Sequence, residues 1–150
     1  MNPHLLFPIS NLILLLGVVG YAWRRGGWEE RLCGLGLFVD SVATGIVVRY
    51  FQLTHPQNGW LLAAPYILLI DSLLLVILLG IALRSARFWP LWVAALQIPG
   101  VVTHIAYMVD DRVVPYGYAI AQTLWIYPMY VALILGTRRH YARRMLMKVA

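Results

Sequence analysis

A chain of 150 residues that is 61% hydrophobic and 12% charged, with a mean hydropathy of +0.74, cannot cover its apolar surface with polar groups in water. Nearly all of it lies in stretches long enough to cross a bilayer, which excludes a separate soluble domain. The net charge of +6 does not mark a nucleic-acid groove, because the basic residues gather at segment ends, where they report topology.

Asn2-Pro3 reads as a helix cap with proline in the first turn. Leu5 to Trp23 forms the first span. It lacks a basic leader and a small-residue cleavage site, and Arg24-Arg25 follow it, so a cleaved signal peptide is not expected. Gly26-Gly27 ends this helix, and a second span runs from Leu32 to Phe51. The turn cluster Thr54-His-Pro-Gln-Asn-Gly59 leads into a third span, Trp60 to Leu83. Arg84-Ser-Ala-Arg87 is a tight link to the fourth, Phe88 to Val109. Asp110-Asp111-Arg112 closes that span, and Pro115 opens the fifth, which ends near Thr137. A basic tail follows over residues 138–150. The expectation is one all-α domain, a membrane bundle of five transmembrane helices.

Charge sets the orientation. With five spans, one side receives Arg24, Arg25, Arg31, Arg84, Arg87 and the five basic residues of the tail, and the other only Arg49 and Arg112. Positive charge stays inside, which puts the N-terminus outside and the C-terminus in the cytoplasm. Trp23, Trp28, Trp60, Trp89, Trp92 and Tyr116 fall near span ends, as interface anchors do. The preference for arginine over lysine fits a GC-rich bacterial source, hence a bacterial inner membrane.

Within this frame the polar residues acquire depth. Asp71 interrupts an almost unbroken aliphatic run from Tyr66 to Gly80, where a carboxylate costs about 2.5–3.5 kcal/mol on insertion scales. Asp40, Asp71 and Gln97 fall close to the midplane. Asn11, His104 and Gln122 fall in the outer half, and Arg49, Asp110 and Asp111 form an outer rim. Gln97, His104 and Asp111, spaced by seven, share one stripe, while Asp40, Ser41 and Thr44 share a face of the second helix. Such residues point to a bundle interior or a partner subunit, since facing lipid costs too much. Asp71 is expected to bond Gln97, a second-helix hydroxyl, or Asp40 through a shared proton. Pro8, Pro65, Pro99 and Pro128 interrupt four spans and free backbone carbonyls near these groups.

Several chemistries are excluded. A retinal Schiff base needs an intramembrane lysine, and the only lysine is Lys148 in the tail. A single cysteine, Cys33, gives neither an intrachain disulfide nor a thiol relay. Bis-histidine haem needs two histidines at matching depth, and His104 has only His4 or His55 toward the outer surface. No HExxH, phosphate loop or serine elbow is present. The sequence therefore assigns no catalytic residue and no metal and leaves any cofactor unknown, and a non-enzymatic role is favoured.

Two functions follow. In the first, the protein works by association, with itself or as a subunit of a larger membrane complex, through small residues of the second helix: Gly34, Gly36, Ser41 and Gly45. In the second, it binds or transports a proton, ion or small polar solute through Asp40, Asp71, Gln97 and His104, with Asn11, Thr44 and Gln122 as further ligands. An intramembrane aspartate-dependent enzyme, with Asp40 and Asp71 as its dyad, ranks third. The expected partners are the lipid bilayer and other membrane subunits, with no nucleic acid.

Overall fold

The computed structural model describes residues 3–109 and 115–149, with side chains over 10–109 and 124–147. Five helices make up the described chain: α1 (Pro3–Arg25), α2 (Trp28–Thr54), α3 (Gly59–Arg84), α4 (Trp89–Val109) and α5 (Pro115–Val149). Consecutive helices pack side by side, α1 closes on α5, and α2 also reaches α5 across the middle. The result is a ring of five helices around a shared interior.

That interior holds Leu15, Val18 and Ala22 of α1, Cys33 and Leu37 of α2, and Leu74 and Leu78 of α3. Val93 of α4 and Met129, Tyr130 and Leu133 of α5 complete it. The outward faces are apolar as well. Ile13, Ile46, Leu69, Val76 and Leu83 are all more than half exposed. Helices apolar on every side belong in an apolar medium. Among the described residues, α2, α3 and α4 are long and apolar enough to cross a membrane, which suggests a membrane protein.

The helices run longer than hydropathy predicts. α2 starts at Trp28, before Leu32, and takes Glu29 and Glu30 into its first turn. α5 continues through the basic tail to Val149; its 35 residues make a rod of about 52 Å. Proline does not interrupt: α3, α4 and α5 pass through Pro65, Pro99 and Pro128 as single helices. Loss of one donor leaves the neighbouring turns bonded, and side-chain packing holds the axis.

The small residues of α2 do not form one face. A Cβ on Gly34 would touch Ala22 and Leu133, one on Gly36 would meet Leu74 at 3.0 Å, and one on Gly45 would meet nothing within 4 Å. Positions two apart on a helix point about 200° apart, so Gly34 and Gly36 serve different neighbours. A tighter approach between helices lies elsewhere. A Cβ on Gly136 would lie 2.6 Å from the Trp89 ring, so only glycine lets α5 lie against that indole.

Candidate functional site

Asp71 and His104 meet in the interior, His104 Nε2 lying 2.7 Å from Asp71 Oδ2 with both residues buried. The contact follows from helix direction. Side chains lean toward the N-terminus of their own helix. In the antiparallel pair α3 and α4, Asp71 leans toward the Gly59 end and His104 toward the Trp89 end, so the two converge. A depth count along the axes places His104 farther out than Asp71 and misses this lean.

Gln97 lies one stripe position below His104. Its Nε2 donates to the backbone carbonyl of Asp71 at 3.4 Å, and the Asp71 carboxyl bonds His104 instead. Carbonyls point toward the C-terminus of their helix, which brings the Asp71 oxygen down to the level of Gln97. One residue thus presents its carboxyl to His104 and its carbonyl to Gln97.

Asp40 approaches from α2 and lines the same small cavity as Asp71. Two carboxyl groups at one site can bond to each other only through a proton, and like charges there disfavour double ionisation unless a cation stands beside them. Asp40 Oδ1 is sealed from solvent without a donor, and so is Thr44 Oγ1 one turn later. Buried polar atoms of this kind are uncommon in native structures. Beside Asp40 lies a cavity of about 60 Å³, lined by Asp40, Asp71, Gln97 and Gly100 together with Leu37 and Met129. It has room for a few water molecules or one small cation.

The remaining candidates are placed differently. Asn11 Oδ1 accepts from the Tyr130 hydroxyl at 3.4 Å, which ties α1 to α5. Arg49 is exposed near the end of α2. Asp110 and Asp111 lie outside the described residues, and so does the side chain of Gln122. Among the described residues, no three His, Cys, Asp or Glu side chains are grouped to hold a metal ion.

A second buried polar group sits at the arginine-rich end. Arg87 Nη1 donates to Glu30 Oε1 at 2.5 Å, its Nε lies 3.6 Å from Glu29 Oε1, and its Nη2 lies 2.5 Å from His140 Nδ1. Ser85 donates to Glu29, and Glu30 Oε2 reaches back to accept the Gly27 N–H at 2.8 Å. That last bond is the reciprocal half of a capping box, with glycine at the cap where a serine or threonine would normally stand. Glu29 and Glu30 are both buried, and the positive end of α2 adds to their stabilisation. This clamp joins the α1–α2 link, the α3–α4 link and α5. Hydropathy and charge counting miss it. Its sequence signal is the run Gly27-x-x-Glu30 ahead of an apolar helix. Arg25 adds to the same end by stacking on the Tyr141 ring at 4.2 Å.

Comparison of the chain with family models, with curated proteins and with solved structures finds no match.

Proposed function

We propose that this is a five-span protein of a bacterial inner membrane, N-terminus outside, that binds and passes a proton or a small polar solute at Asp40, Asp71 and His104. The observation that carries this reading is the 2.7 Å Asp71–His104 contact together with a cavity that Asp71 lines with Asp40 and Gln97. Structural glue would pair each carboxyl with a hydroxyl or amide and leave no oxygen over. Here a carboxyl oxygen and a hydroxyl are left without partners. A proton between Asp40 and Asp71 joins the two carboxyls, and His104 offers the next station for it.

The topology rests on charge. Arg24, Arg25, Arg84, Arg87, Arg138 and Arg139 belong to one end of the ring, and positive charge marks the cytoplasmic side. A reporter fused after Ala150 is expected to read as cytoplasmic, and one inserted at Gln57-Asn58 as periplasmic.

Infrared difference spectroscopy during a pH change tests the site. A protonated-carboxyl band that responds to pH, and that shifts or vanishes in Asp71→Asn and Asp40→Asn, is the expected result. Absence of any titrating carboxyl band overturns the reading.

A second reading, association of copies, draws on the open side of α1. Leu16, Gly17, Gly20 and Tyr21 line a notch of about 550 Å³ beneath Arg24 and Arg25, and a Cβ on either glycine would meet nothing within 4 Å. Small residues let helix backbones approach. Gly17→Leu would then lower the mass found by native mass spectrometry; an unchanged mass removes this reading.

A further inference from the structure

We propose that the groove between α2 and α3 is a lateral entry that seats a lipophilic amine, its alkyl chain between the two helices and its nitrogen at Asp40. The inference rests on the reading of Asp40 and Asp71 as a proton-holding pair, and adds the class of ligand and its route.

The groove measures about 300 Å³, at the lower end of small-molecule pockets. Leu32, Leu35, Gly36 and Val39 of α2 and Leu73 and Ile77 of α3 form its walls. Its one polar side chain is Asp40, which also lines the inner cavity, so groove and cavity meet at a single carboxyl. From Leu32 to Asp40 is about 12 Å along the helix, the reach of a medium-length alkyl chain. At Gly36 the helices come close, since a Cβ there would meet Leu74 at 3.0 Å.

Charge selects the head group. Two carboxyls face one imidazole, and no lysine or arginine lines the groove or the cavity. An anion is repelled, and an alcohol brings one donor and no charge. An ammonium group brings three donors and a positive charge. The Asp40 carboxyl, which lines both the groove and the cavity, is the acceptor it needs. The amine enters from lipid in its neutral form. It takes the proton held between the carboxyls: one O–H bond breaks, one N–H bond forms, and an ammonium stands beside two carboxylates.

The test uses the full chain in nanodiscs of zwitterionic lipid, with thermal unfolding followed by tryptophan fluorescence during titration with decylamine, decanol or decanoate. Decylamine is expected to raise the unfolding midpoint at a concentration about tenfold lower than decanol, as a charge-assisted contact requires. Asp40→Asn is expected to remove that advantage. Val39→Trp fills the groove from a position already exposed, so folding is retained, and is expected to weaken decylamine about tenfold while the titrating carboxyl band stays. Equal response to amine and alcohol, or a decylamine response unchanged in Val39→Trp, overturns the proposal. If that happens while the carboxyl band still titrates, the groove has failed and the proton reading stands. Selective decylamine binding without a titrating band leaves the groove and removes the proton step.

Discussion

At the arginine-rich end, Glu29 and Glu30 are buried with a guanidinium, a hydroxyl and a backbone N–H against their oxygens, and an imidazole stands behind the guanidinium. Between the helix centres, Asp71 bonds one imidazole, Asp40 shares a cavity with it, and Asp40 Oδ1 and Thr44 Oγ1 have no partner. The first group buries two carboxyls, and the second buries Asp71 with Asp40 half-buried beside it. The first draws its groups from three chain segments, with donors to the glutamates from two of them and an imidazole on the guanidinium from the third, as a group must when its task is to hold those segments together. The second stops short of completion and keeps a cavity beside it. That contrast, one group completed and the other left open, supports the proposal of a ligand or proton at the second.

Removing the cation from the clamp is the strongest way to break this contrast. Arg87→Met leaves two buried glutamates unpaired and is expected to cost about 3 kcal/mol in unfolding from mixed micelles. A loss under about 1 kcal/mol would class the clamp with exposed ion pairs and erase the difference between the two regions. A pair of glycine substitutions sharpens the point. A Cβ on Gly27 would lie 3.0–3.2 Å from His140, Glu30 and Glu29 at once, so Gly27→Ala should cost about 1 kcal/mol. Gly36→Ala meets only the flexible end of Leu74, and the better helix propensity of alanine offsets the contact. Its unfolding midpoint should hold or rise; equal losses at the two glycines would contradict the tight packing claimed for the clamp.

At the centre the expected sign reverses. Asp40→Leu removes a carboxyl whose Oδ1 has no donor and should raise stability by about 1 kcal/mol while abolishing the titrating infrared band. A loss of stability instead would mean that Asp40 holds the helices together. The smallest effect belongs to Asp71→Asn, whose amide can still bond His104. Stability should stay within about 0.5 kcal/mol, with the carboxyl signal changed. If stability collapses and the signal persists, the roles assigned to the two regions are exchanged.

Much of the architecture can be read from the sequence because hydropathy acts over whole segments. The run from Tyr66 to Gly80 has no other stable form in an apolar medium than a helix. Helix ends are harder. Glu29 and Glu30 read as a solvated link until Arg87 and Ser85 are known to stand beside them, and those partners are 57 and 56 residues away. The stripe of Gln97 and His104 follows from spacing alone. That His104 takes the Asp71 carboxyl while Gln97 takes the Asp71 carbonyl depends on the opposite lean of side chains in antiparallel helices, which a depth count omits. Gly34 and Gly36 look like one small face in a list of small residues. Angular position separates them, since one lies against α1 and α5 and the other against α3.

The Arg87 clamp also sets an order on how the chain is made. Glu30 leaves the ribosome 57 residues before Arg87, and Arg87 53 residues before His140. At roughly 5–20 residues per second, the glutamates wait some seconds for their guanidinium and as long again for the imidazole. Through that interval the two glutamates at the start of α2 have no fixed counter-charge, and the helix ends beside them are free to separate. Closure therefore waits for α5, since His140 is the last of the group to be made. A nascent chain halted before His140 keeps this end of the bundle without its final contact.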